Sequence, residues 1–200
     1  MKILAYGGAF NPPHKGHMLL LAEAMRAVEP DITFVIPSDV SPHKRTLYTP
    51  FYDRAAMCRC FKECGAGVVV SEIEKCKNRK KSYTVKTLRR LRDRYPGAEL
   101  YFVIGSDSLF NFKKWHQWRR ILTLCTLVIA ARDDESVEKL EEGFKPLETY
   151  GGRAVILRTE PVDISSTELR KMVSEGRDCS EYLPKSVSDY IEKHGLYKRK

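Results

Sequence analysis

The 200-residue chain has no C-x-x-C pair, no apolar run long enough to cross a bilayer, and no tract of glycine, proline or serine that would divide it. The first absence removes the commonest zinc spacing, and Cys58 and Cys60 would project about 200° apart on a helix. No metal site is expected from the cysteines. The longest apolar-rich run, Ile121 to Ala131, carries two threonines and falls short of the ~20 residues a span needs. At the N-terminus, Lys2-Ile-Leu-Ala-Tyr6 is broken at once by Gly7-Gly8 and then Pro12-Pro13, so no secretory core is legible. The expectation is a cytoplasmic chain, without membrane attachment, whose six cysteines are free thiols.

What is present is ordinary globular composition, 42% hydrophobic and 30% charged, with ten prolines and twelve glycines, which excludes fibrous and disordered classes. The length fits a single domain over residues 1–200. The excess of 35 basic over 26 acidic residues gives a net charge of +9. Such an excess favours an anionic partner without choosing among nucleic acid, nucleotide and phosphorylated metabolite. No helix-turn-helix, zinc finger or RNA-stacking signature accompanies it, so no nucleic-acid partner is expected.

Short β-branched runs alternate with longer amphipathic segments, the pattern of an α/β fold. Strands are expected at Ile3 to Tyr6, Ile32 to Ile36, Val68 to Ser71, Leu100 to Ile104, Leu127 to Ala131 and Ala154 to Leu157. Helices are expected at Gly16 to Val28, Pro50 to Glu63, Ser82 to Tyr95, Trp115 to Leu122, Ser136 to Glu142, Ser166 to Ser174 and Lys185 to His194. The strands read as apolar runs, as they do when helices cover both faces. The fold class is therefore a Rossmann-like, doubly wound, largely parallel sheet with a C-terminal helical segment. Ligands of such sheets lie beyond the carboxyl ends of the strands, so a functional motif should directly follow a strand. Two loops stand out, Ser38 to Thr49 and the basic Lys75 to Lys81, the latter suited to steering anions by its field.

After the first strand comes Gly7-Gly8-Ala9-Phe10-Asn11-Pro12-Pro13-His14-Lys15-Gly16-His17, running into an apolar helix. The glycines permit close backbone approach, and a helix N-terminus attracts phosphate. Neither a Walker Gly-Lys-Ser/Thr nor a G-x-G-x-x-G is present. In their place stand two imidazoles three residues apart, on one side of a helical turn, able to donate to one phosphate group. After the last strand, Ile164-Ser165-Ser166-Thr167-Glu168-Leu169-Arg170 opens a helix with hydroxyls and amides and places Arg170 one turn on, where it can clamp phosphate oxygens. Taken alone, Ser-Ser-Thr before a helix is more often merely a cap.

The His14-x-x-His17 loop and the Ile164 to Arg170 segment resemble the two signatures of the nucleotidyltransferase superfamily that carries a His/Thr-x-Gly-His loop. Ser82-Tyr83-Thr84-Val85-Lys86-Thr87-Leu88, and Gly105-Ser106-Asp107-Ser108-Leu109 followed by Phe112-Lys-Lys-Trp115, are similar to the nicotinate mononucleotide adenylyltransferases within it. Ala9 stands where Ser or Thr is common, and Asn11 where Asp is frequent; neither departure touches the histidines.

The resemblance implies AMP transfer from ATP, accompanied by Mg2+, to nicotinate mononucleotide. It implies catalytic roles for His14, His17 and Arg170. The ATP site would be completed by Gly7, Gly8, Ala9, Phe10, Gly105, Asp107, Ile164, Ser165, Ser166 and Thr167. The mononucleotide would be met by Lys44, Thr84, Trp115, His116 and Arg132. On residue type alone, Asp107 reads equally as a helix N-cap, Trp115 and Trp118 read first as core, and solvated surface is the lesser alternative for Lys44 and Arg132. A pantetheine-phosphate adenylyltransferase or a cytidylyltransferase would share the first two motifs but leaves the Thr84, Asp107 and Trp115 stretches unexplained.

Overall fold

A computed structural model of the chain describes residues 1–40, 49–75, 81–130, 136–158 and 164–198. Six strands form one parallel sheet: β1 (Lys2–Gly8), β2 (Ile32–Pro37), β3 (Val68–Val70), β4 (Glu99–Gly105), β5 (Thr126–Ala130) and β6 (Ala154–Leu157). Their spatial order is β3-β2-β1-β4-β5-β6, all neighbours parallel. The order reverses between β1 and β4, and that switch point opens a crevice at the carboxyl edge.

Successive side chains of a strand point to opposite faces, and both faces here are covered. Leu4 and Tyr6 of β1 join a core with α1 (Lys15–Val28), α7 (Ser166–Ser174) and α8 (Lys185–Lys193). Ile3 and Ala5 face the other way, into a core with α3 (Thr84–Arg94), α5 (Trp118–Leu124) and α6 (Val137–Glu148). The crossovers thus change sides of the sheet at β1/β4.

The expected strands are all present within two residues, and the structure corrects several helices. The single helix expected over Pro50 to Glu63 is α2 (Phe51–Met57) followed by a 3-10 segment, Cys58–Cys64. Three residues per turn align Cys58 with Phe61, both without solvent exposure. Helix α6 runs to Glu148, beyond the expected stop at Glu142, because Gly143 is a packing position: a Cβ there would lie 2.6 Å from the Phe110 ring. The short helix α4 (Ser106–Phe110) and a 3-10 turn at Phe112–Lys114 had no periodic signal. Asp107 lies in the first turn of α4, whose N-cap position is Gly105, so the alternative reading of Asp107 as the cap is overturned.

Candidate active site

Loop 9–14 begins at the switch point. Gly8 is required there: an added Cβ would lie 2.8 and 2.9 Å from atoms of the Phe10 ring, closer than packed carbons approach. Phe10 has φ 44°, a left-handed conformation strained for an aromatic residue. Burial against Tyr6 and Phe61 holds it, with ring centroids 5.2 Å away in each case. Its ring also stands edge-on to His17 at 5.3 Å. The backbone of Gly7 to Phe10 lines the crevice edge while the Phe10 side chain supports His17 from below.

His14 occupies the N-cap position of α1 with extended backbone, and His17 is the third residue of the helix. Their rings lie 3.6 Å apart at 37°. The His14 backbone N–H donates to Nδ1 of His17 at 3.3 Å, which places the proton of a neutral His17 ring on Nε2 as a donor. The expected convergence of two imidazoles is present.

The second motif meets this loop directly. Ser166 Oγ donates to the Pro12 carbonyl at 2.9 Å, and Arg170 donates to the Asn11 carbonyl at 2.8 Å, to the Ser166 carbonyl at 3.1 Å and to Thr167 Oγ1 at 3.0 Å. Ser165 is the N-cap of α7: its Oγ donates to the Glu168 carboxylate at 2.6 Å and accepts from the Glu168 amide at 3.2 Å. Its hydroxyl is thereby committed to a capping box, whereas Ser166 and Arg170 bond loop 9–14 and Thr167 is exposed beside Arg170. Ile164, half-buried, precedes the cap. Gly105 ends β4 beside β5, and Asp107 is exposed just beyond it.

On the neighbouring side, the half-buried Trp115 ring rests on Phe112 at 5.3 Å and stands edge-on to Phe102 at 6.3 Å. Phe102 in turn lies 3.2 Å from where a Gly7 Cβ would be, which connects Trp115 to the end of β1. His116 lies against Tyr83 at 4.5 Å, and Tyr83 is the N-cap position of α3, with Thr84 as the first helical residue. Thr84, Trp115 and His116 are therefore grouped through Tyr83. Trp118 is engaged elsewhere, edge-on to Tyr150 at 4.9 Å and covered by Arg119 at 4.6 Å. Lys44 and Arg132 lie outside the described residues. So does Cys76; the other five cysteines are free thiols.

Arg54 carries no expectation from the motifs, yet it is 1% exposed and reaches the site from α2. It donates to four main-chain carbonyls: Ala9 at 2.9 Å, Ser38 at 2.7 Å, Asp39 at 3.2 Å and Thr49 at 3.2 Å. Burial pulls its pKa down, opposed by the nearby Cys58 and Asp39. Tyr197, near the C-terminus, donates to Asn11 Oδ1 at 2.6 Å. Burial pushes its phenol up to about 12, against the Thr49 side chain and the Arg170 and Arg54 charges, which favour ionisation. The sequence signal for Arg54 was its place three residues from both Phe51 and Met57, a charge on the buried stripe of a helix; Tyr197 had none.

Comparison with known proteins agrees with this geometry. The cytidylyltransferase-like family model matches residues 5–172. A Shewanella pealeana protein named probable nicotinate-nucleotide adenylyltransferase is 32% identical, with 99% of this chain and 96% of that protein covered. One of the same name from Gemmatimonas aurantiaca is 33% identical over 99% of this chain and 93% of its own length. The fold is similar to that of the Plasmodium falciparum nicotinic acid mononucleotide adenylyltransferase complexed with NaAD, with a TM-score of 0.81 at 20% identity over 98% of this chain and 97% of that one. The same parasite enzyme complexed with APC matches at a TM-score of 0.78 and 20% identity, over 98% and 96% of the two chains. Two helix N-termini joined at the β1/β4 switch point and two relatives matched along nearly their whole length place the chain in the cytidylyltransferase-like family.

Proposed function

We propose that this chain is a nicotinate-nucleotide adenylyltransferase, moving AMP from ATP to nicotinate mononucleotide with release of pyrophosphate, a step of NAD biosynthesis. The observation that carries the reading is the His14–His17 ring pair on a loop whose Pro12 and Asn11 carbonyls accept from Ser166 and Arg170 of α7. That arrangement turns two helix N-termini and a guanidinium toward one polyphosphate. The names of the full-length relatives support the acceptor.

In this reading the 5′-phosphate oxygen of the mononucleotide attacks the α-phosphorus of ATP in line and pyrophosphate departs. The nucleophile is already anionic at neutral pH, so positioning and charge stabilisation carry catalysis and no protein nucleophile is needed. Nε2–H of His17, the His14 ring and the Arg170 guanidinium donate to oxygens on which negative charge grows. The backbone of Gly7 to Phe10, with Gly105, Ile164, Ser166 and Thr167, shapes the ATP half-site. Asp107 accepts from a ribose hydroxyl. Ser165 contributes by holding α7 in register rather than by its hydroxyl.

Trp115 offers a flat face to the pyridine ring, Thr84 and neighbouring amides bind its carboxylate, and His116, Lys44 and Arg132 complete the mononucleotide half-site. Amide donors favour the acid over the carboxamide, which has one acceptor oxygen. Among the described residues no group of three or more His, Cys, Asp or Glu is placed to ligate a metal. Mg2+ would arrive as part of the ATP substrate, held by phosphate oxygens and water.

No helix among the described residues is long and apolar enough to cross a membrane. The free thiols support a cytoplasmic setting.

Pyrophosphate release with ATP and Mg2+, run in parallel with nicotinate mononucleotide, nicotinamide mononucleotide and phosphopantetheine, tests the reading. Turnover confined to nicotinate mononucleotide is expected. A preference for phosphopantetheine, or no turnover with any of the three, would refute it.

A further inference from the structure

Arg54 presents an unusual set of bonds. A guanidinium with 1% exposure normally faces a carboxylate; this one spreads four bonds over main-chain carbonyls of three separate segments. Ala9 belongs to the loop that leads to His14 and His17. Ser38 and Asp39 follow β2 and meet Ser82, the residue two before Thr84: the Asp39 N–H donates to Ser82 Oγ at 3.3 Å and the Ser82 N–H to the Val40 carbonyl at 2.9 Å, while Thr49 lies just before α2. Among the described residues one further main-chain bond joins the first two runs, from the Ser38 N–H to the Gly8 carbonyl at 2.8 Å. Tyr197 supports the same junction from the C-terminal end, through Asn11 and Thr49.

We propose that Arg54 is a positioning residue that fixes the distance between the two substrate half-sites, with Tyr197 as its brace on the Asn11 side. The proposal rests on the functional reading above. Its carbonyl bonds tie the backbone that carries the histidine pair to Ser38 and Asp39, which Ser82 joins to Thr84 of the mononucleotide half-site. Only the guanidinium fork has the planar spread to serve four oxygens at once, which a lysine ammonium cannot do. Loosening that tie leaves each half-site able to bind its own ligand. What is lost is the alignment of the attacking phosphate oxygen with the α-phosphorus, for which a misplacement of ~1 Å costs roughly a hundredfold in rate.

The test is Arg54→Lys in the full chain, read by steady-state kinetics and by hydrogen exchange. The expected result is a kcat lowered about a hundredfold with the KM of each substrate within about threefold of its original value. The Ser38 amide should also exchange at least tenfold faster while amides of β5 are unchanged. In Arg54→Ala, methylguanidinium but not methylammonium should restore at least a tenfold part of the lost kcat.

A kcat within threefold in Arg54→Lys, or unaltered exchange at Ser38, overturns the proposal. So does a loss confined to the KM for ATP, which would make Arg54 part of one half-site alone. If neither Arg54 variant accumulates folded, Tyr197→Phe decides: a kcat lowered three- to tenfold with both KM values held is expected, and unchanged kcat overturns the proposal. If the unmodified chain turns over none of the tested acceptors, the functional reading fails, and the exchange measurement at Ser38 still decides whether Arg54 ties the two segments.

Discussion

Gly8→Ala tests how the phosphate-facing loop is built. The added methyl would lie 2.8, 2.9 and 3.1 Å from three atoms of the Phe10 ring, several tenths of an ångström inside normal contact. The ring has nowhere to go: it is 1% exposed and packed by Tyr6, Phe61 and His17. Overpacking of this kind costs about 1–3 kcal/mol, which for a chain of this size lowers Tm by roughly 2–12 °C. Any shift of Phe10 is passed to His17, so kcat should fall by up to about a hundredfold. The assays are urea unfolding and pyrophosphate release. Phe10→Leu in the same chain should relieve the clash, so that the double variant is more stable than the sum of the single effects by over ~0.5 kcal/mol. An unchanged unfolding midpoint together with unchanged kcat in Gly8→Ala, or strict additivity with Phe10→Leu, would refute the reasoning.

Three further outcomes are expected. His17→Ala should lower kcat by at least about a hundredfold while moving either KM far less, as for an interaction made mainly in the transition state; near-original turnover would remove the residue from the mechanism. Trp115→Ala should raise the KM for the mononucleotide well above any change for ATP, and an equal rise in both would assign the ring to the core with Phe112. Alkali should destabilise the fold. Burial raises Cys60 and Cys125 to about 12 and Cys64 to about 11, and Tyr197 to about 12. The folded chain therefore holds these protons more tightly than the unfolded one. The associated stability is intact below about pH 9 and is lost as pH rises toward 12, by roughly 1.4 kcal/mol per pH unit for each proton involved. Urea unfolding at pH 8.5 and 11 measures it, and equal midpoints would contradict the burial of these groups.

The sheet was legible because its strands are apolar on both faces, so that each run announced itself without a partner. The two phosphate motifs were legible for a similar reason: each lies within a few residues of chain, directly after a strand. What escaped was chemistry assembled from distant segments. The hydroxyl of Ser165 caps α7 through Glu168, a pairing that the hydroxyl cluster alone does not reveal. Arg54 went unread, because the four carbonyls it serves are scattered from Ala9 to Thr49. Tyr197 is 186 residues from its partner Asn11, a distance no local pattern bridges. Helix α6 was read as too short because Gly143 resembles a stop until the Phe110 ring is seen against it.

The central claim is that the mononucleotide phosphate is the nucleophile that receives AMP from ATP. Nicotinate mononucleotide labelled with oxygen-18 throughout its phosphate, incubated with the enzyme, ATP and Mg2+, tests this most directly. Mass spectrometry should find all the label in nicotinate adenine dinucleotide and none in pyrophosphate. Label in pyrophosphate, or a labelled mononucleotide that stays unconverted while ATP is consumed, would contradict the account.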